Sequence, residues 1–311
     1  MSSVEAKWKW VLICAVAPVS WGATYFVTKH FLPEGAPLWS ATLRALPAGV
    51  ILLAIARRLP SGSWRWKSLL LGLLNFAAFF VLVYLAAQLL PTSVAASVMA
   101  LAPVALAMLA IPLLRQRPTA YMLVGAAIGV VGVGLLVGLG ASRIDLIGVV
   151  ISLVALLVSS LGAILATRWR DEVPLVATTS WQLVAGGVML LVSAVVVEGA
   201  PPAMTSTNAL AYGAISLVAT AVAFLCWFAG LRHLSAGTVG LIGLLNPVTG
   251  VMLGVLLAAE ALAPAQWLGL ALVAAALLLG QSRHRAMPAS GARTELRLGR
   301  RKDHGPRARR G

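Results

Sequence analysis

A single arginine, Arg44, stands inside an apolar run, seven residues past its start at Pro37, in a chain with only 11% charged residues. At a rise of 1.5 Å per residue it lies roughly 10 Å into a helix, where inserting an arginine costs about 2.5–3.5 kcal/mol. A charge at that depth either faces a wet cavity, where it holds the carboxylate or other anionic part of a small molecule, or snorkels to the outer headgroups. Trp21 and Tyr25 are four residues apart and share one helix face. They wall the same pocket with stacking area and a hydroxyl, or they pack between helices. Trp181 and Gln182 carry the same two readings in the second half of the chain. Asn75 and Asn246 each need hydrogen-bond partners away from water, as readers of a polar substrate or as bonds between helices. Pro103 and Pro247 each free a carbonyl four residues upstream, so a hinge or kink is their expected role. Glu260, at an outer helix end, is the candidate for proton coupling, against the reading of an ordinary loop acid.

Other chemistries lack their residues. Cys14 and Cys226 lie within apolar runs and read as small buried hydrophobes, not as a disulfide or zinc framework. His30, His233, His284 and His304 are scattered without metal-ligand spacing. Gly125, Gly129, Gly132, Gly134 and Gly138 follow no strand, so they read as helix-packing positions and not as a dinucleotide loop. No Walker sequence occurs. The expectation is a protein without cofactor or metal, and not an enzyme.

The elements that position these residues follow from composition. Of 311 residues 60% are hydrophobic, with mean hydropathy +0.94; a soluble domain carries about 25% charged residues to cover its surface. A soluble enzyme is excluded. Apolar runs fall at about 10–30, 37–56, 68–90, 92–114, 119–138, 146–167, 174–197, 209–231, 235–258 and 264–281. Each is long enough to cross ~30 Å of hydrocarbon, and Pro91-Thr92-Ser93 breaks the longest uncharged stretch. No run alternates as a barrel strand does. An all-α integral membrane protein of ten transmembrane helices is predicted, its first run a retained helix and not a cleaved signal.

The net charge of +15 is concentrated at one end: residues 283–311 hold ten Lys and Arg against Glu295 and Asp303. No aromatics interleave with them as a base-stacking surface requires, so this basic tail is expected to touch anionic lipid headgroups and not nucleic acid. With the N-terminus in the cytoplasm, all but Lys29, Arg143 and Arg44 of the 24 Lys and Arg residues fall on the inner side. Both termini are therefore predicted to be cytoplasmic, in a multi-pass protein of the plasma membrane.

The chain also repeats itself. A shift of 144 residues places Pro103 on Pro247, Gln116 on Glu260 and Gly125 on Gly269; a shift of 138 places Arg44 on Gln182 and Ala48-Gly49-Val50 on Gly186-Gly187-Val188; a shift of 140 places Gly22-Ala23 on Gly162-Ala163. Each half has five runs, an odd number, so the second half enters the membrane inverted. Inverted repeats serve alternating access around a midplane site.

WGATYFVTK at 21–29, RALPAG at 44–49, WFAGLRHLSAG at 227–237 and LLNPVTGVMLGVLLAAEAL at 244–262 resemble the drug/metabolite transporter superfamily in its two-repeat EamA branch, over essentially residues 10–281. The last motif resembles the family's proline-containing fourth helix of each repeat. Gln116 stands in LLRQRPT where the family has glutamate, so the paired acids of the two fourth helices are not both present. Within the branch, WGATYFVTKHFLP, RALPAG and LGLLN at 71–75 resemble the blue-pigment (indigoidine) exporter type. The resemblance implies a secondary transporter exporting small metabolites such as amino acids, pigments or drugs. It implies this division: 1–9 a cytoplasmic N-terminus, 10–138 and 146–281 the two repeats, 139–145 an outer linker, 282–311 the basic tail. A homodimer is compatible with it. The rivals are an integral-membrane enzyme, for which no clustered His, Asp or Glu lies within the runs, and a structural membrane subunit.

Overall fold

A computed structural model describes residues 3–33, 35–89, 98–99, 101–137, 145–169, 173–258 and 263–281. The regular elements among them are all helical. In chain order they are α1 (Ser3–Phe31), α2 (Pro37–Ala56), α3 (Trp64–Gly72), a π-helical turn (Leu73–Ala77), α4 (Ala78–Leu89), α5 (Ala102–Leu114) and α6 (Ala120–Val137). The second half continues with α7 (Leu146–Arg168), α8 (Leu175–Val197), α9 (Ser206–Ser216), a second π turn (Leu217–Val222), α10 (Ala223–His233), α11 (Ala236–Gly243), α12 (Leu245–Ala258) and α13 (Pro264–Gln281). The break expected at Pro91-Thr92-Ser93 lies outside the described residues.

Five helices, Pro37–Ala56, Trp64–Val83, Leu146–Arg168, Leu175–Val197 and Ser206–His233, are long and apolar enough to cross a membrane; Ala102–Leu114, Ala120–Leu135, Ala236–Gly250 and Pro264–Leu279 are shorter apolar helices. Hydrocarbon offers no partner for a backbone amide or carbonyl, so each segment satisfies its own by coiling. The hydroxyls obey the same rule: Thr42, Ser68, Thr167 and Thr249 each donate to the carbonyl four residues earlier. The outward faces stay apolar, with Leu12, Val196 and Leu210 exposed by 67%, 77% and 76%. In water such faces would be a liability; in lipid they are the required surface.

The packing comes in matched sets. Helix α1 lies on α10 as α7 lies on α4, and α1 lies on α12 as α7 lies on α5; α2 with α8 and α6 with α13 pair counterpart to counterpart, and α5 packs on α11. Trp39, near the start of α2, donates Nε1 to the Gly199 carbonyl just past α8, and Trp181, early in α8, donates to the Arg58 carbonyl just past α2. The two helices therefore run antiparallel. Lipid tails are as apolar as the helix faces, so close contact between small residues replaces hydrophobic drive. A Cβ on Gly49 would sit 2.7 Å from the Val184 nitrogen, and one on Gly187 would sit 2.9 Å from the Leu46 Cα. Residues 46 and 49 correspond to 184 and 187 under the 138-residue shift, so each helix packs its glycine on the same position of the other.

Pro103 and Pro247 mark helix starts. Leu101 and Leu244 form turns directly before α5 and α12, and Pro103 and Pro247 stand in the first turns that follow. There the missing N–H removes no intrahelical bond. Helix α11 ends at Gly243, four residues before Pro247.

Candidate functional site

Two polar bridges cross the middle of the bundle. Arg44 Nε donates to Thr220 Oγ1 at 3.3 Å, and Asn75 Nδ2 donates to Gln182 Oε1 at 2.8 Å. Arg44 and Gln182 are counterparts in α2 and α8, and each meets a polar residue in the other half's π turn. A π turn widens the helix and re-aims its side chains, which brings Asn75 and Thr220 to the interior where a straight helix would carry them past it. Asn75 also needs room behind it: a Cβ on Gly162 would collide with Asn75 Oδ1.

Aromatic rings fill the space between the bridges. The Arg44 guanidinium lies 5.0 Å from the centre of the Phe80 ring, a cation–π contact. Phe76 meets Phe224 edge-on at 4.7 Å, and Trp21 lies 5.0 Å from Phe224 and 5.2 Å from Trp227. Trp21 Nε1 donates to the Ala219 carbonyl in the second π turn at 3.0 Å. The Asn75 and Gln182 side chains are 5% and 2% exposed, whereas Arg44 is only half-buried. A fixed, partly accessible cation above aromatic walls can hold an anionic group far more strongly than water would allow.

The structure brings together Trp21, Arg44, Asn75 and Gln182 of the residues expected from sequence. Trp181 is one residue from Gln182 but faces elsewhere. It packs on Trp64 at 5.6 Å, and its only polar atom is committed to Arg58. Asn246 is half-buried, and its backbone carbonyl lies where Gly22 has no Cβ, 2.5 Å from a Cβ built there. Tyr25 lies in α1, but its side chain, Glu260 and the Lys29 side chain beside Glu34 lie outside the described residues.

Thr220, Phe80 and Phe224 went unnoticed in the sequence. Thr220 had a signal: under the 144-residue shift it falls one step from the counterpart of Asn75. Glu198 was also missed. Its carboxylate accepts from the Leu38 and Trp39 amides at 2.7 and 2.9 Å, capping the N-terminus of α2 from the far end of α8. Ser40 and Tyr212 bond beside it at 2.8 Å. This set ties the start of the helix that carries Arg44 to the opposite half.

Paired apolar helical halves around a polar and aromatic centre make this a membrane carrier. The chain belongs to the EamA-like transporter family, whose profile matches residues 8–138 and again residues 146–280. Protein PecM of Dickeya dadantii (strain 3937) is 35% identical over 85% of this chain and 90% of its own. The uncharacterized inner membrane transporter YedA of Escherichia coli (strain K12) is 28% identical over 84% of this chain and 87% of its own. A solved crystal structure with 18% identity superposes with a TM-score of 0.77, covering 88% of this chain and 96% of that one; at that identity it shows the fold alone. The protein is a membrane transporter of small metabolites.

Proposed function

We propose that the protein exports small, anion-bearing metabolites across the plasma membrane by alternating access, with Arg44 as the group that binds the anion. The observation that carries this reading is the placement of Arg44: half-buried, bonded to Thr220 across the repeat boundary and seated on Phe80. Rocking of one half against the other would make and break a bridge that spans both, so substrate binding and movement share one residue. Trp21 and Phe224 supply stacking area, and Asn75 with Gln182 forms the neutral counterpart across the pseudo-two-fold axis. Glu260 remains the candidate for proton coupling.

Ten spans with both termini cytoplasmic are part of the proposal, supported by the ten apolar runs of the sequence and by the bias of Lys and Arg. The opening motifs favour the pigment-exporter type within the family. No covalent chemistry is proposed, and the enzyme and structural-subunit readings are not favoured for a chain that matches a transporter family twice.

Two experiments test the reading. Reporters fused after Gly311 and near Ser61 are expected in the cytoplasm, and one near Ala200 outside; a reversal at any of them ends the orientation. A screen of metabolites leaving expressing cells should find an acidic compound whose efflux depends on Arg44. Efflux confined to cationic compounds would overturn the anion-binding role.

A further inference from the structure

At the end of the bundle away from Arg44, a cavity of about 400 Å³ opens between the α5–α6 and α10–α11 connections. Arg232 and His233 lie eight and nine residues beyond Phe224 along α10, so about 12 Å farther down the helix at 1.5 Å per residue. Among the described residues its lining contains Arg117, Arg232 and His233 and no carboxylate. Two helices begin at its wall. Thr119 Oγ1 accepts from the Met122 amide at 3.2 Å at the start of α6, and Ser235 Oγ accepts from the Thr238 amide at 3.3 Å at the start of α11. Both helices thus direct the positive ends of their dipoles at the same space.

The rest of the geometry is fixed around it. Gln116 Oε1 accepts from the Ala236 amide at 3.2 Å, tying the α5–α6 loop to the start of α11. His233 is held flat against Trp10, with ring centroids 3.5 Å apart and planes within 9°, and its Nδ1 lies 2.9 Å from the Ala229 carbonyl. Arg232 Nη2 reaches the Val173 carbonyl at 3.3 Å. Apolar side chains, Ala107, Met122 and Leu231 among them, form the cavity's inner surface.

We propose that this cavity is a binding site for a phosphate-bearing ligand, and that the headgroup of an anionic phospholipid is the source the geometry favours. Two guanidiniums and two converging helix starts supply positive potential, the His233 ring lies beside them, and the apolar part of the lining suits the glycerol end of a lipid. The cavity sits at helix ends rich in Lys and Arg, the level at which headgroups lie. The site is separate from the Arg44 centre, so its failure would leave the transport reading standing.

The test uses the full chain in a non-ionic detergent, with native mass spectrometry counting retained dioctanoyl-phosphatidylglycerol against dioctanoyl-phosphatidylcholine. Phosphatidylglycerol alone should be retained. Arg117→Gln, at an exposed position, should weaken retention about fivefold, the size of one surface charge acting on an anionic headgroup, with a smaller further loss in Arg117→Gln/His233→Gln. Glycerol 3-phosphate at millimolar concentration is the second arm. Arg117-dependent competition by it supports the site and assigns it to a free phosphate compound; absence of competition assigns it to lipid. Equal retention of phosphatidylglycerol by the unaltered chain and both variants, equal retention of the two lipids, or binding of neither phosphate compound overturns the proposal.

Discussion

The two central bridges occupy counterpart positions and do different work. Asn75–Gln182 is neutral and almost fully buried, and each member meets a carboxamide like its own. Arg44–Thr220 is charged and half-buried, and joins a strong donor to a weak hydroxyl acceptor at 3.3 Å. A neutral pair in a dry interior is stable by itself. A guanidinium stays charged and carries five donors in a planar fork, the form that matches a carboxylate. The same scaffold, used twice, thus carries a neutral joint at one crossing and, in the reading proposed above, a charged socket at the other.

Removing the socket's charge breaks the comparison most sharply. Arg44→Gln should lower efflux about 10- to 100-fold at matched protein level, the scale of a charge-assisted pair. Arg44→Lys should recover only part, since a point charge lacks the planar fork that grips a carboxylate. Full efflux from the glutamine variant would give both bridges the same structural role.

Asn75→Ala tests the joint. It leaves the Gln182 amide buried without its partner, at a cost of about 1–3 kcal/mol, which should lower the melting temperature in detergent while efflux per folded molecule changes little. A variant that melts normally but transports nothing would move Asn75 into the substrate site.

Thr220→Val should have a smaller effect. It removes one hydrogen bond to Arg44, worth about 1 kcal/mol, so the expected change is a rise of a fewfold in the substrate concentration for half-maximal transport, with the maximal rate kept. A loss as large as that of Arg44→Gln would make the hydroxyl part of the binding group itself. Smallest of all is the effect of deleting residues 286–311: the inner positive charges upstream already set orientation, so efflux should be unchanged. Correct insertion with no transport would show that the tail acts in the cycle.

The helical path was legible in the sequence because the membrane imposes a length and a polarity on every segment. The run read at 37–56 became Pro37–Ala56, and the run at 264–281 became Pro264–Gln281. Arg44 was legible because a charge among apolar residues has no cheap explanation. Its partner was not, since one threonine in a span reads like any other that bonds its own backbone. Phe80 and Phe224 were hidden for the same reason: in a chain this apolar, a ring lining a site and a ring facing lipid have the same neighbours in sequence. Trp181 shows the converse: of its two readings, packing between helices is the one its contacts fit. Adjacent residues on a helix point about 100° apart, so closeness to Gln182 in sequence put it on another face.

The π turns carry a record of descent. They begin at Leu73 and Leu217, the same step of each half, and each is an α-helix holding one residue more than its regular winding accepts. One extra residue in a common precursor of the two family-matched halves would account for both turns at once. The side chains differ between the halves, with Asn75 falling on Ala219 under the shift and Thr220 one step beyond, so the backbone keeps a likeness that the residues around it have largely lost.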